Sequence, residues 1–160
     1  MDSVTYQFIA KCVRALPRPA LVIELGSLNV NGTPRPLFGP VTRYLGVDLR
    51  AGDGVDVVCD AADYCPDAPA DMVICTSVLE HSPYPERIVR SAWHALRPGG
   101  VLILTVPTGG YPPHGVDGGG VGEEYYRNVA EEELRTWLGR FQGWAIEGPT
   151  RNQLLALGVK

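Results

Sequence analysis

The sequence predicts an α/β fold: a mostly parallel sheet covered by helices on both faces. Three observations carry this. Five short apolar runs are bounded by Gly, Pro or Asp, as strands buried on both faces are. One clear crossover helix lies among them and stops at Arg97-Pro-Gly-Gly100. The chain then closes on two strand-like runs joined too tightly for anything but an antiparallel pair.

The elements follow in order. Residues 2–16 form an amphipathic helix with Val4, Phe8, Cys12 and Leu16 on one stripe; Ser3 is its expected cap, and Pro17 and Pro19 stop it. Ala20-Leu-Val-Ile-Glu-Leu-Gly26 is the first strand and its turn. Gly26 lets the chain bend sharply and a ligand lie close; Asn29, Asn31 and Gly32 also tolerate positive φ. Pro34, Pro36 and Pro40 leave room for one short turn of helix, with Thr33 before Pro34 as its start. Tyr44–Asp48 and Val55–Cys59 are the second and third strands, the latter ending at Asp60. Pro66 and Pro69 disfavour a helix before the fourth strand, Met72–Thr76. The crossover helix covers about residues 85–96, and Val101–Val106 is the fifth strand.

Residues 108–122 contain seven glycines in fifteen positions. Such a loop, at the carboxyl end of a central strand, is placed to be a lid or is a solvated surface loop. A helix over about 129–141 follows, with Asn128 and Glu131 resembling a capping box. Trp144–Glu147 and Gln153–Leu157 form the final pair, turning near Pro149. No repeat or linker divides the chain, so residues 1–160 are expected to form one domain.

The bulk numbers exclude several classes. A formal net charge of −4 leaves no basic footprint for duplex nucleic acid. No apolar run approaches the roughly 20 residues of a membrane span. No basic segment followed by an apolar one marks a signal peptide, which predicts a cytoplasmic protein. Cys12, Cys59, Cys65 and Cys75 form no C-x-x-C pair and are expected to be buried, reduced thiols. Cys59 and Cys65 lack the second pair or histidines that zinc would need, so no metal site is expected.

Acidic residues close three strands: Glu24, Asp48 and Asp60. Asp48 lies 22 residues past Gly26, near the spacing at which a carboxylate reaches a ribose diol. A carboxylate accepts from two vicinal hydroxyls and repels a 2′-phosphate. For Asp48 alone an ordinary turn aspartate is about as good a reading.

Glu24-Leu-Gly26, Asp48, Asp60-Ala61, Asp71-Met-Val-Ile-Cys-Thr-Ser-Val-Leu-Glu-His81 and Leu96-Arg-Pro-Gly-Gly-Val-Leu-Ile-Leu-Thr-Val-Pro107 together resemble class I S-adenosylmethionine-dependent methyltransferases. The resemblance implies a seven-stranded sheet of order 3-2-1-4-5-7-6 with the last strand antiparallel, and S-adenosyl-L-methionine as cofactor. Residue by residue, it sets Glu24, Gly26 and Ser27 beside the methionine portion. It sets Asp48 on the ribose, Leu49 beside the adenine, and Asp60 with Ala61 on the adenine amino group. Thr76, Ser77 and His81 would floor the cleft. Where relatives often carry a second glycine this chain has Leu28, and Asn29 is expected to take the bent conformation instead.

The residues agree with that cofactor. It has no phosphate, and the chain has neither a P-loop lysine nor a full G-x-G-x-x-G. Methyl transfer needs alignment and, for a protic acceptor, a base. His81 and His114 are the catalytic candidates. His81 also fits a pocket-shaping role, and His114 fits a base, an acceptor contact or a solvated loop histidine. Tyr111, Asp117, Tyr125, Tyr126 and Arg127 are candidates for shaping acceptor binding, and Glu80 for supporting the loop. The expected acceptor is an O or N atom of a small molecule or of an exposed group on a saccharide, lipid precursor or protein. The chain lacks the Asn/Asp-Pro-Pro-aromatic segment of nucleic-acid amino methylation. A non-catalytic nucleoside-binding module is the alternative, and a nicotinamide oxidoreductase a more distant one.

Overall fold

Seven strands make one sheet in a computed structural model that describes residues 1–160. They are β1 (Leu21–Leu25), β2 (Arg43–Asp48), β3 (Val57–Val58), β4 (Ala70–Thr76), β5 (Leu96–Pro107), β6 (Gly143–Thr150) and β7 (Gln153–Val159). Their order is β3-β2-β1-β4-β5-β7-β6. The first five run parallel; β7 is antiparallel to both β5 and β6. The helices are α1 (Ser3–Ala15), α2 (Pro85–Ala95) and α3 (Glu131–Leu138).

Both faces of the sheet are covered, which is why its central strands read as unbroken apolar runs. Side chains alternate between faces. Val22, Met72, Ile74 and Ile103 meet Phe8, Ile9 and Cys12 of α1. Ile23, Leu25, Val73, Cys75 and Leu102 meet Ile88, Val89 and Ala92 of α2 and Leu134 and Leu138 of α3. The two Pro-rich crossovers form no α-helix. The first holds only a 3₁₀ turn, Arg35–Leu37, whose leading N–H donates to Thr33 Oγ1 at 3.1 Å.

Several boundaries depart from the sequence reading. Asp2, not Ser3, caps α1: its Oδ1 accepts from the N–H groups of Val4 and Thr5 at 2.8 and 3.0 Å. A carboxylate takes two donors and suits the positive helix end. β3 is two residues long: Asp56 just before it still donates its N–H to Gly46 O of β2, but its side-chain Oδ2 stands where a backbone acceptor would and takes Gly46 N–H along with Arg35. β5 begins at Leu96, paired with Ala70, and the register resumes at Val101 with Met72. Arg97–Gly100 bulges out between them, Gly99 at φ +73°. α3 starts two residues later than expected, because Glu133 Oε2 accepts the Ala130 N–H while also pairing with Arg127. The last hairpin turns at Arg151 and Asn152, both at positive φ, rather than near Pro149. Cys12 and Cys75 are buried as expected, whereas Cys59 is only half-buried and Cys65 is exposed, on a Pro-rich segment held to α2 by the Ser91 hydroxyl on Tyr64 O.

Candidate active site at the carboxyl edge of the sheet

Strand order reverses between β1 and β4, and there a cavity of about 1030 Å³ opens at the carboxyl ends of the strands. Open α/β sheets bind ligands at this switch point. Glu24 and Gly26 reach it from β1, Asp48 and Leu49 from β2, Asp60 and Ala61 from β3. Thr76, Ser77 and His81 follow from β4, and His114 from the loop after β5. Of the residues expected at the site, Ser27 and Asn29 do not line the cavity.

The reason lies in the turn after β1. Gly26 has φ +79°, and a Cβ there would sit 2.2 Å from Val78 Cγ2. The N–H groups of Gly26 and Ser27 both donate to Val47 O, at 2.8 and 3.1 Å. The chain is thereby drawn toward β2, and Ser27 is buried against Gly46 with its Oγ unpartnered. Asn29 does not take positive φ; Gly26 and Gly32 do. Its Nδ2 donates to Asp53 Oδ2 at 2.7 Å and its Oδ1 accepts from Gly32 N–H at 3.0 Å, so its polar atoms are used in holding the loop. Leu28 contributes its N–H to Asp48 Oδ2 at 3.1 Å and its side chain to the wall. Asp48 Oδ1 accepts from Arg50 N–H, also at 3.1 Å.

Two buried carboxyls lie at the site. Glu24 is 4% exposed, and burial raises its pKa to about 7 although Tyr44 Oη–H donates to its Oε2 at 2.9 Å. Glu80 has no exposed surface, and burial raises its pKa to about 8. Neither of its oxygens has a hydrogen-bond partner. Burial, with His114 nearby, lowers the pKa of His81. Ser77, at the end of β4, holds φ +54°, a strained conformation for a residue with a side chain.

The far end of the cavity is aromatic. The His81 and His114 rings meet edge to face at 5.1 Å between centroids, and Tyr126 stands 4.9 Å from His114. His114 Nδ1–H donates to Pro112 O at 3.1 Å, which leaves the Nε2 lone pair free. The glycine-rich loop is held by specific bonds. Val116 N–H donates to Glu124 Oε2, and Asn128 Nδ2 to Tyr111 O. Asn128, expected as a helix cap, is instead the loop's anchor. Tyr111 lines the cavity; Asp117, Tyr125, Tyr126 and Arg127 do not. Met1 and Asp2 line it too, with the Met1 amine donating to Asn31 O. No sequence signal places an N-terminal residue beside a loop whose position only the tertiary fold decides.

Solved structures share this architecture. The N1-methyltransferase of 1,6-didemethyltoxoflavin from Burkholderia thailandensis, solved with S-adenosylhomocysteine, superposes with TM-score 0.70 at 19% identity, over 99% of this chain and 79% of that one. The N-methyltransferase NodS from Bradyrhizobium japonicum, with the same nucleoside, gives 0.68 at 13%, over 98% and 85%. The N-terminal domain of EvdMO1, solved in the presence of that nucleoside and D-fucose, gives 0.71 at 15%, over 99% and 83%. At such identities the likeness is one of fold. No curated protein matches the sequence. The family model for the methyltransferase domain matches residues 7–155, nearly the whole chain, and the chain therefore belongs to that family, the S-adenosylmethionine-dependent methyltransferases of seven-stranded, Rossmann-like fold.

Proposed function

We propose that this enzyme methylates an oxygen or nitrogen atom of a small-molecule acceptor, and that the cavity at the β1/β4 switch point holds cofactor and acceptor together. The observation that carries the reading is the polarity of the cavity wall. Asp48 and Leu49 stand side by side at one end, and the free Nε2 of His114 stands at the other. Ligand pockets commonly enclose about 300–1,000 Å³, and 1030 Å³ is room for a nucleoside and a second small molecule.

The donor set fits the cofactor. Asp48 uses one lone pair on each oxygen for Leu28 and Arg50 and keeps others for a ribose diol. Leu49, 69% exposed, offers a flat apolar surface for an adenine ring. Asp60 Oδ1 accepts from Ala62 N–H at 2.8 Å, leaving Oδ2 for an exocyclic amine. Glu24 and the Cβ-free Gly26 border the space for the methionine portion, with Thr76, Ser77 and His81 beneath. Ser27 and Asn29 support that turn from behind it. When bound, the cofactor supplies an electrophilic methyl group on a sulfonium.

The chain's own task is then alignment and proton removal. His81, kept neutral by burial, shapes the floor. His114 Nε2 takes the proton of a protic acceptor. The neighbours solved with 1,6-didemethyltoxoflavin or in the presence of D-fucose support an acceptor of similar size.

Calorimetric titration with S-adenosylhomocysteine, with NAD as comparison, tests the cofactor half. Binding of NAD alone would sink it. Labelled adenosylmethionine incubated with the protein and a metabolite extract tests transfer; tight cofactor binding with no labelled product would favour a non-catalytic module.

A further inference from the structure

Three donor groups from two segments meet behind the acceptor end of the cavity. Glu80 and His81 lie on the 3₁₀ turn Leu79–His81, which follows β4; His114 lies on the loop after β5. One ligand atom from each falls within 4.8 Å of the others. The Nε2 atoms of His81 and His114 stand 3.9 and 4.0 Å from the same oxygen, Glu80 Oε1.

Those separations are too long for hydrogen bonds and leave both oxygens of a fully buried carboxyl group unpartnered. A buried polar group in that state is costly unless something else satisfies it. Two nitrogens converging on one oxygen from just beyond bonding reach leave space for one atom among them. The tautomer of His114 suits a ligand in that space. Its Nδ1–H is taken by Pro112 O, so the nitrogen turned toward Glu80 carries the lone pair. Metal-binding histidines are commonly oriented in this way, by a carbonyl on the other ring nitrogen.

We propose that Glu80, His81 and His114 bind a divalent transition-metal ion whose open positions face the cavity and take oxygen atoms of the acceptor. Two imidazoles and one carboxylate suit Zn²⁺, Co²⁺, Mn²⁺ or Fe²⁺, and suit Mg²⁺ or Ca²⁺ poorly. An ion about 2.1 Å from each donor keeps tetrahedral donors roughly 3.4 Å apart. The donor atoms must close by about half an ångström to 1.4 Å, which the glycine-rich segment carrying His114 supplies on one side and rotation of the His81 and Glu80 side chains on the other. With the ion in place His114 Nε2 is a ligand rather than a base. An acceptor hydroxyl on the ion becomes acidic enough to lose its proton to water. This last point rests on the methyltransferase reading; the binding itself does not.

Co²⁺ titrated into the cofactor-free chain, followed by visible absorption, tests the site. Cys59→Ser and Cys65→Ser are included to remove accessible thiols. One equivalent is expected to bind, with displacement by Zn²⁺. Glu80→Gln and His114→Ala should each weaken binding at least tenfold with unchanged far-UV circular dichroism. His94→Ala, at an exposed histidine of α2, should not. Catechol, a bidentate oxygen probe, should shift the Co²⁺ bands. Absence of one-equivalent binding, or binding that survives both site substitutions, overturns the ion; unshifted bands overturn the acceptor's place on it. S-adenosylhomocysteine titrated separately into the same proteins distinguishes the two readings. A chain that binds the nucleoside but no Co²⁺ loses only the metal site.

Discussion

Single side chains at the cavity carry opposite obligations to stability and to binding. Gly26 has no alternative: φ is +79° and a Cβ would overlap Val78. Gly26→Ala is expected to cost about 1–3 kcal/mol of unfolding free energy in urea melts. Val78→Ala in the same chain should return part of that, since it removes the overlap but not the strain. Asp48→Ala should lower adenosylhomocysteine affinity by about 1–3 kcal/mol by calorimetry, because charge-assisted hydrogen bonds are lost; unchanged affinity would take Asp48 out of the site. Glu24 yields a pH signature. Its folded pKa is about 7 against an ordinary 4.5. Between those values the unfolded chain has released the proton and the folded chain keeps it, so stability falls as pH rises and levels off above about pH 7. Glu24→Gln removes that cost. The variant should match the parent near pH 4.5 and exceed it by about 3 kcal/mol above pH 7, with Tyr44 still able to donate to the amide oxygen.

Among the elements, what could be read from sequence depended on how much the chain's own neighbours decide. β1, β4 and the crossover helix are legible because burial writes itself as apolar runs and Gly/Pro stops, and β2, less covered, because its short apolar run ends on Asp48. β3 is not: Val55–Cys59 has strand composition, but the Asp56 carboxylate takes the Gly46 N–H that a backbone carbonyl would take, and turns to Arg35. Asn128 precedes a helix and reads as its cap, yet the oxygen a cap needs accepts from Tyr126 Oη–H, while its Nδ2 donates to Tyr111 O. That Glu24, Asp48 and Asp60 line the cavity was legible because each lies at or just beyond the carboxyl end of a strand. The grouping of Glu80, His81 and His114 was not, since a helix and a strand intervene and only the sheet order brings the loop back. The Asn128 anchor can be tested. Asn128→Ala should speed amide exchange across residues 111–122 while leaving β4 and β5 protected, because the loop has few other ties to the body.

At the scale of the whole molecule, one sheet edge does all the positioning. The cover on the β2–β3 side is thin, and the cavity wall there is built of turns tied by Asp48, Asp53 and Asp56 rather than by helices. A ligand bridging that wall and the rigid β4–β5 side should stabilise the entire fold. Saturating adenosylhomocysteine at about 100 times its Kd should add about 2.7 kcal/mol, read as a rise in Tm that Asp48→Ala reduces.

The unsatisfied carboxyl group of Glu80 also bears on how such a protein could be made hardier. An apolar residue of similar volume there would remove a buried, unpartnered polar group with little change in packing. Clones selected only for surviving heat should therefore converge on Leu or Met at this position. Each would look like an improvement while discarding a group that the cavity holds in place at the expense of the fold, so any engineering of this chain needs a binding assay beside the thermal one.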